Sequence, residues 1–361
     1  MTVLTVNVGS SSVKLASFDH GLRKISESSI ADERPDPAEA LRRFIAGCRD
    51  PFRVVAHRVV HGGDRFSATC RIDAAVERGI AELAELAPLH NPPALAWIRA
   101  ARKVIPSATH VAAFDTAFFA RLPRLARRYA ISEDLAPGAP LHRFGFHGLA
   151  HRHLWLQWQR MKRGAAGGRL ISLQLGAGCS IAAIRDAEPV DTSMGFTPLE
   201  GLVMATRCGD LDPGLLLYLQ RRRRWSARKL EEQLNERSGL LGVSGLSGDV
   251  RQLMASETPE SRFALDLFCY RARKYVGAYL AVLGGADGIA FGGGIGEHVP
   301  QIRAQILSEL SWAGITIDAR RNLAATHGSQ RISAESSSVD LCAIAVEEAQ
   351  VLAQEAAAFL A

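Results

Sequence analysis

Two arginines occur where the sequence otherwise gives no reason for a charge. Arg58 lies within the Val-rich stretch RVVAHRVVHGG, and Arg207 follows the polar, Gly- and Pro-punctuated stretch VDTSMGFTPLEGLVMA. A guanidinium at an apolar site needs an anionic partner, because its desolvation is otherwise uncompensated. Its forked donors fit the two oxygens of a carboxylate or phosphate. These two residues therefore predict a site for small anions.

Other polar residues are concentrated in short stretches. FDTAFF places Asp115 at the end of a strand, and HRFGFHGLAHRHL brings four histidines, His147 among them, into thirteen residues. A single histidine in such a stretch is more often structural than catalytic. The stretch therefore supports a site only together with the arginines and the turns described next.

Small residues form three turns that would let a ligand approach the backbone. In VNVGSSSVK, Gly9 precedes three serines and Lys14 interrupts the returning strand. A hairpin needs only two turn residues, so the extra hydroxylated residues predict a phosphate held by N–H and O–H groups. LQLGAGCS repeats this layout around Gly176. GGGIG, residues 292–296, forms the third turn, before a helix expected near Glu297 and His298.

The elements that must position these turns alternate between strand and helix, which predicts an α/β fold. Setting Gly9 against Gly176 aligns two strand–turn–strand units, one in each half of the chain. Two lobes clasping a nucleotide would follow, with the hairpin turns toward the phosphates and the later Gly turn toward the adenosine. APLHNPP breaks one helical stretch into two, and SRFALDLFCYRARKYVGAYLAVLGG predicts one long helix.

The composition narrows the class of protein. The chain has 361 residues, 47% apolar residues and a net charge of +6. The densest basic run, Arg221–Arg224, reads as the solvated end of a helix, so no nucleic acid partner is expected. Six cysteines without CxxC spacing indicate reduced thiols in a cytoplasmic protein. The sequence predicts neither a secretory signal nor a membrane span.

Taken together, the motifs resemble the acetate kinases, the acetokinase family within the acetate and sugar kinase/Hsc70/actin superfamily. The matching blocks follow in order along nearly the whole chain: VNVGSSSVK, HRVVHGG, APLHNP, FDTAF, FGFHG, VDTSMGFTPLEGL, TRCGDLDPG, SGLSGDVR and GGGIGEH. The resemblance implies two duplicated actin-like (ribonuclease H-like) α/β domains with a nucleotide cleft between them. The first would span residues 1–150 with a C-terminal helix at about 346–361, and the second residues 151–345.

The resemblance also implies roles for individual residues. The catalytic residues would be Arg58, Asp115, His147 and Arg207. The short-chain carboxylate would contact Arg58, Val60, Leu89, Phe146 and Pro198. The nucleotide and its phosphates would contact Ser10, Ser12, Lys14, Gln174, Gly176, Gly178, Asp249, Val250, Arg251, Gly293, Gly294, Ile295 and Gly296. Mg²⁺, or Mn²⁺ in its place, would be held by Asn7 and Glu347.

The implied activity is the reversible transfer of the γ-phosphoryl group of ATP to acetate, giving acetyl phosphate and ADP, in a homodimer without nucleic acid or membrane partners. The helix around Phe263–Leu283 is the candidate dimer interface. A propionate or butyrate kinase would differ only in the apolar pocket. A degenerate relative of low activity is a further alternative, since Gln174 and Ala177 replace a His and an Asn of the family's second phosphate hairpin. A nucleotide-dependent switch or filament protein would not need two arginines beside a small apolar pocket.

Overall fold

The structure, a computed structural model of the chain, describes residues 2–9, 12–30, 36–162 and 165–360. Within these ranges, no helix combines the length and the apolar character needed to cross a membrane. Ser10, which the sequence assigns to phosphate binding, lies outside the described residues.

The secondary structure alternates between strands and helices along the described residues. The strands are β1 (Val3–Val8), β2 (Val13–Phe18), β3 (Lys24–Ile30), β4 (Val54–Val59), β5 (Cys70–Arg71), β6 (Thr109–Phe114), β7 (Arg169–Leu175), β8 (Cys179–Arg185), β9 (Glu188–Thr192), β10 (Gly288–Gly292), β11 (Gln330–Arg331) and β12 (Asp340–Ala343). The α-helices are α1 (Pro37–Ala46), α2 (Ala74–Glu82), α3 (Asn91–Val104), α4 (Arg124–Arg127), α5 (Gly148–Met161), α6 (Pro213–Arg223), α7 (Ala227–Glu236), α8 (Gly239–Ser244), α9 (Val250–Ala255), α10 (Pro259–Leu283), α11 (Gly293–His298), α12 (Pro300–Leu307), α13 (Ala319–Ala324) and α14 (Glu348–Leu360).

The chain divides into two compact units. The first comprises Met1–Ala120, Phe146–His153 and Glu347–Ala361, and the second comprises Arg121–Gly145 and Leu154–Val346. The division departs from the predicted boundaries mainly at residues 121–145, which the sequence placed in the first domain. Long-range hydrogen bonds within the second unit explain the difference, because the Phe144 N–H donates to the Gly195 carbonyl at 3.0 Å.

The first unit is built on a six-stranded sheet with the order β3-β2-β1-β4-β6-β5. Strands β1, β4 and β6 run parallel, and the hairpin strands β2 and β3 extend the sheet antiparallel. Every residue of β1 is buried, as expected for a strand covered on both faces. Alternate residues face opposite layers: Val3 packs with α14, and Leu4 packs with α1 and α3.

The second unit repeats the same strand arrangement, with the order β11-β12-β10-β7-β8-β9. Strands β7, β8 and β9 form an antiparallel meander, and β10 and β12 continue the sheet parallel to β7. This order matches β1, β2, β3, β4 and β6 of the first unit one for one. The internal repeat predicted by aligning Gly9 with Gly176 is therefore confirmed at the level of topology.

Several predicted helices are found in the structure, with one shifted start. Helix α10 runs unbroken over 25 residues, and α2 and α3 are separated at the predicted Pro-rich break. The basic run ends α6 at the surface, as predicted. The helix expected near Glu297 begins instead at Gly293, and Pro300 then opens a separate helix. Proline favours a helix start because its fixed φ suits the first turn and its missing N–H is not needed there.

Candidate active site

Three polar side chains meet at one edge of the first sheet. Asn7 lies near the carboxyl end of β1, Arg58 near that of β4, and Asp115 directly after β6. The parallel register pairs Val6 with His57 and Val59 with Phe114, so the three strands end side by side. Ligands commonly bind at the carboxyl ends of parallel strands. Residues separated by up to 108 positions in the chain thus form one cluster.

The centre of this cluster is a buried ion pair. Arg58 Nη2 lies 2.7 Å from Asp115 Oδ2, and Nε lies 3.1 Å from Oδ1. Both residues are buried, and Arg58 Nη1 also donates to Asn7 Oδ1 at 3.2 Å. Burial raises the pKa of Asp115 above its ordinary value, and the Arg58 guanidinium opposes that shift. The forked guanidinium is fixed in one orientation by these bonds.

A second carboxylate completes the cluster, and it belongs to Glu348. Glu348 Oε2 accepts a hydrogen bond from Asn7 Nδ2 at 2.7 Å and lies 3.6 Å from Arg58 Nη1. Glu347, the residue assigned to the metal by resemblance, is half-exposed and pairs with Lys24 at 3.0 Å. The two consecutive glutamates therefore point to different partners. The resemblance assigns the metal to Glu347, whereas the carboxylate that contacts Asn7 is that of Glu348.

His147 approaches the cluster through its backbone. Its N–H donates to the Asp115 carboxylate, and its φ of +57° places it in the left-handed region. Gly148 follows because a Cβ there would overlap the Asp115 carbonyl oxygen. The motif FGFHG thus packs directly against the end of β6. Sequence reasoning identified this motif but not the backbone contact that attaches it to Asp115.

The residues assigned to the acyl pocket differ in their surroundings. Within the first unit, Val60 and Phe146 are buried, and the Phe146 ring lies edge-on to the His61 ring at 5.4 Å. Leu89 is 57% exposed. Pro198 belongs to the second unit, where its carbonyl accepts a hydrogen bond from Arg207 Nη1 at 2.6 Å.

The first predicted phosphate hairpin has the expected form where it is described. Gly9 N–H donates to the Ser12 carbonyl at 2.9 Å and closes the turn. Asn7 and Lys14 are direct partners across β1 and β2, and the Lys14 side chain is exposed. Cross-strand partners lie on the same face of a sheet. Lys14 is therefore placed beside the Arg58 cluster with its charge toward solvent.

In the second unit, six of the ten residues assigned to the nucleotide line one pocket of about 690 Å³, whereas Gln174, Gly178, Gly293 and Gly296 are not part of its lining. Three separate stretches contribute to it: the β7–β8 hairpin, the start of α9 and the start of α11. The lining includes Gly176, Asp249, Val250, Arg251, Gly294 and Ile295. The structure also adds His298 and His327, whose ring centres lie 5.6 Å apart. Most of the wall is made of small or apolar residues, as small-molecule sites usually are.

Two details of this region bear on a ligand. The Gln174 side chain lies against the Gly292–Gly293 turn, and its Oε1 has no hydrogen-bond partner among the described residues. Gly293 has a φ of +75°, and a Cβ there would come 2.5 Å from the Leu175 carbonyl oxygen. The glycine is thus required by both conformation and space, while Gln174 keeps one acceptor available.

Arg207 differs from Arg58 in its partners. Burial lowers the pKa of Arg207, and only Cys179 opposes that shift. Within the described residues the guanidinium forms no ion pair, and its one hydrogen bond goes to the Pro198 carbonyl. A largely desolvated guanidinium with no carboxylate is a binding group for an external anion.

The loop that carries Pro198 and Arg207 is held by a network that the sequence analysis missed. Arg143 Nη2 donates to Glu200 Oε1 at 2.6 Å, and Tyr129 Oη donates to the same carboxylate. The Phe196 N–H in turn donates to Tyr129 Oη at 2.8 Å. These bonds brace the MGFTPLEG motif from both sides. The signal available in the sequence was the conjunction of Arg143 and Glu200 with a Gly- and Pro-rich loop.

Arg303 is a further residue that sequence reasoning missed. It is fully buried, faces no carboxylate among its hydrogen-bond partners, and bonds to carbonyl groups at the ends of α11 and α13. Its Nη1 donates to Gly296 O at 2.8 Å and its Nη2 to Ala325 O at 2.7 Å. Burial lowers its pKa to about 10, so it remains charged at neutral pH. Arg303 thereby joins the two segments that carry His298 and His327 to the pocket.

The donor set of the first unit fits a Mg²⁺ ion bound mainly by substrate. No group of three or more His, Cys, Asp or Glu side chains suited to a metal occurs among the described residues. The Glu348 carboxylate and the Asn7 amide nevertheless lie together. Mg²⁺ typically takes one or two carboxylates, and its remaining ligands are water and substrate phosphates. The Glu348 carboxylate matches that requirement, and Asn7 Oδ1, which accepts a hydrogen bond from Arg58 Nη1 at 3.2 Å, keeps one lone pair for a second partner.

Comparison with known proteins identifies relatives along most of the chain. The model of the acetokinase family matches residues 38–354. The acetate kinase of Chloroherpeton thalassium is 43% identical over 315 residues, which cover 85% of this chain and 75% of that protein. The acetate kinase of Leifsonia xyli subsp. xyli is 41% identical over 333 residues, with coverages of 89% and 84%.

Two solved structures are similar in fold over nearly their full length. The acetate kinase of Porphyromonas gingivalis has a TM-score of 0.90 and 32% identity, and the alignment covers 100% of both chains. A propionate kinase from Francisella tularensis subsp. tularensis has the same TM-score and identity, with 99% of both chains covered.

Proposed function

The chain belongs to the acetokinase family, and from that premise we propose that it transfers the γ-phosphoryl group of ATP reversibly to acetate. The products are acetyl phosphate and ADP. The observation that carries the proposal is the buried Arg58–Asp115–Glu348 cluster with Asn7, which fixes one guanidinium at the carboxyl edge of the first sheet. In the second unit, Arg207 is a cation without a carboxylate partner among the described residues.

The chemistry requires positive charge and positioning more than proton transfer. Acetate is ionised at neutral pH, so the nucleophile needs no general base. Transfer of a phosphoryl group depends on stabilising the charge on its equatorial oxygens. We assign this task to Arg58, Arg207 and His147. Each arginine can bind an oxygen pair of a carboxylate or phosphoryl group through its fork.

Asp115 acts in this proposal by orienting Arg58 rather than by accepting a proton. Its oxygens already accept donors from Nε and Nη2 of Arg58 and from the His147 backbone. Its side chain is buried, so it has little contact with solvent. A carboxylate engaged in this way holds the guanidinium in place for substrate.

Mg²⁺ would be held by Asn7 and Glu348. The resemblance implies Glu347 in place of Glu348. When bound, the ion supplies charge that neutralises the β- and γ-phosphate oxygens. The contribution of the chain is to keep Asn7 oriented, through the bonds to Arg58 and Glu348. Loss of activity in a chelator and recovery with Mg²⁺ or Mn²⁺ would support the requirement for a divalent ion.

We assign ATP and ADP to the pocket of the second unit. In the hairpin at Gly176–Gly178, the Gly176 N–H donates to the Gly178 carbonyl at 3.1 Å, and the N–H groups of Ala177 and Gly178 have no partner among the described residues. These two donors do not depend on side chains, which lessens the effect of Gln174 and Ala177. Asp249, Val250 and Arg251 form the opposite wall, and Asp249 is held by Arg251 Nη2 at 2.6 Å.

The proposal also specifies the length of the acyl chain of the substrate, which is that of acetate. The similarity to a propionate kinase at the same TM-score favours a test of longer acids. Buried Val60 and Phe146 favour a short chain. Measuring kcat/KM for acetate, propionate and butyrate side by side decides the question, and we expect the value for acetate to be highest.

The activity itself is tested by trapping the product. The purified chain is incubated with acetate, ATP, Mg²⁺ and hydroxylamine, and acetyl hydroxamate is measured. We expect hydroxamate that depends on both ATP and acetate. Arg207→Ala should lower kcat by about a hundredfold or more, whereas the exposed control Arg42→Gln should not change it. No hydroxamate at high protein concentration would refute the proposal and favour a degenerate relative.

We further propose a homodimer in the cytoplasm. Helix α10 exposes Phe263, Tyr270 and Val282, and such apolar side chains are typical of interfaces. All six cysteines are free thiols, which suits a reducing compartment. Light scattering after size-exclusion chromatography tests the dimer, and Phe263→Glu with Tyr270→Glu should shift it toward monomer.

A further inference from the structure

Apart from the candidate active site, the first unit carries an open hollow of about 540 Å³ with a basic wall. Arg71 of β5 and Arg99, Arg102 and Lys103 of α3 line it. Glu77 of α2 is the one carboxylate in this lining. The wall therefore has a net charge of +3. Like charges gathered around one cavity repel one another unless an anion compensates them.

Glu77 fixes two of the arginines in position. Its Oε2 lies 3.3 Å from Arg99 Nε, and its Oε1 pairs with Arg102 Nη1. The Glu77 side chain is mostly buried, whereas that of Arg99 is mostly exposed. A guanidinium has five N–H donors, and these contacts use only a few of them. The rest have no partner among the described residues, so the two forks are pre-organised for a ligand.

Stabilisation of α3 explains the presence of only some of the four cations that line the hollow. Arg102 and Lys103 lie in the last turn of α3, where cations interact favourably with the helix dipole. Arg71 and Arg99 have no such reason. Neither Arg71 nor Lys103 pairs with a carboxylate within the described part of the chain. The nearby Asp73 serves as N-cap of α2, since it accepts the Val76 N–H at 2.8 Å.

The floor of the hollow is polar and uncharged. His110 Nε2 donates to the Ile105 carbonyl at 3.0 Å, so Nδ1 is the acceptor that faces His57 Nε2 at 3.2 Å. Burial lowers the pKa of both histidines, which keeps them neutral at pH 7. The floor thus contributes no negative charge to offset the wall.

The hollow is separate from the Arg58 cluster. His110 lies near the start of β6, and Asp115 follows the end of that strand. Five residues of extended strand span about 16 Å. A small molecule held by Arg71 and Lys103 would therefore not contact the Arg58–Asp115 pair.

We propose that this hollow binds a small molecule carrying several negative charges, either phosphates or carboxylates, at a site distinct from the active site. Four cations from two elements surround the space, and Glu77 holds two of them in place. Guanidinium forks and an ammonium group recognise both phosphate and carboxylate oxygens. The binding does not depend on the proposed phosphotransfer activity.

Isothermal titration with pyrophosphate and, separately, with citrate tests the proposal and distinguishes the two anion classes. Titrations are made at low ionic strength, because salt screens exposed charges, and with ADP present to occupy the nucleotide pocket. The test variant is Arg71→Gln/Lys103→Gln, which breaks no ion pair. The control is Arg42→Gln/Arg49→Gln, which removes the same net charge from exposed residues of α1 and the loop after it.

We expect one of the two anions to bind the unaltered chain with a dissociation constant below about 1 mM. The test variant should weaken that binding by about tenfold or more, and the control should leave it within about twofold. Hydroxamate formation without added anion should be the same in all three proteins. Equal loss in the control, unchanged binding in the test variant, or no binding of either anion to the unaltered chain would overturn the proposal.

Discussion

Replacing Arg58 tests two roles: its stabilisation of buried carboxylates in the fold, and its binding of substrate oxygens during phosphoryl transfer. Arg58 is in contact with two carboxylates: Asp115 at 2.7 Å and Glu348 at 3.6 Å. Both carboxylates are largely buried, at 1% and 18% side-chain exposure. The substitution Arg58→Met keeps an apolar chain of similar length but leaves the two negative charges facing each other.

The cost of this change follows from the burial. Breaking a buried pair by removing one partner typically destabilises a protein by about 3–5 kcal/mol. A domain is usually stable by about 5–15 kcal/mol, so the loss is a large share of the total. The exposed pair Arg43–Glu39, at 2.7 Å in the same unit, offers the control, because Arg43→Met should cost about 0.5 kcal/mol or less.

The pH dependence has a defined sign. Burial already raises the pKa of Asp115, and loss of Arg58 removes the charge that opposes that shift. A carboxyl group with a raised folded-state pKa adds stability below its unfolded pKa, and that stability is lost as pH rises through the folded pKa. The deficit of Arg58→Met relative to the unaltered chain should therefore grow as pH rises above the ordinary carboxyl pKa of about 4.

The double variant Arg58→Met/Asp115→Asn decides between the two roles. Replacing Asp115 by Asn removes one buried charge, so urea unfolding followed by circular dichroism should show partial recovery of stability over Arg58→Met. Acetyl hydroxamate formation should stay absent, because the cation that binds the oxygens is gone. If Arg58→Met is as stable as the unaltered chain, or the double variant is less stable than Arg58→Met, the reasoning is refuted.

Three further outcomes are expected. Arg303→Met should raise KM for ATP while leaving KM for acetate unchanged. It should also lower the free energy of unfolding by about 3 kcal/mol or more, because several buried carbonyls lose their donor. An unchanged KM for ATP would contradict the positioning role of Arg303. Gly293→Ala should lower the urea midpoint because of its φ of +75° and the nearby Leu175 carbonyl, whereas the control Gly277→Ala, in a helix with open space, should raise it. Burial lowers the pKa of His151 to about 3, so the stability that depends on its neutral form is present above pH 6.5 and is lost as pH falls toward 3. In His151→Leu, the midpoint of urea unfolding should therefore change less with pH over that range than it does in the unaltered chain.

Much of the fold follows from local sequence patterns. Alternating apolar residues and small-residue turns defined β1, β2, β7 and β8, and the repeat of that pattern matches the repeated strand order of the two sheets. Helix α10 was visible from its apolar spacing and terminal glycines. Periodicity over ten or more residues is a local property, and the sequence states it directly.

The membership of residues 121–145 in the second unit was not visible in the same way. Its cause is a set of bonds over 50 to 71 residues, including Arg143 to Glu200 and Tyr129 to Glu200. No local pattern encodes such a contact, because each partner alone is an ordinary polar residue in a loop.

The sequence by itself determined which chemistry this chain can perform. It placed Arg58 in an apolar strand and Arg207 after a polar loop, and it put glycines where a ligand approaches the backbone. It also carried the motifs of the acetokinase family. Tertiary structure alone decided which of the two adjacent glutamates meets Asn7, that Arg303 joins the ends of α11 and α13, and that four cations surround one hollow. The reason is physical. The direction of a side chain at a helix start, and contacts between residues hundreds of positions apart, depend on how the elements pack. A charged side chain forms a binding site only when packing removes water from it and fixes its partners.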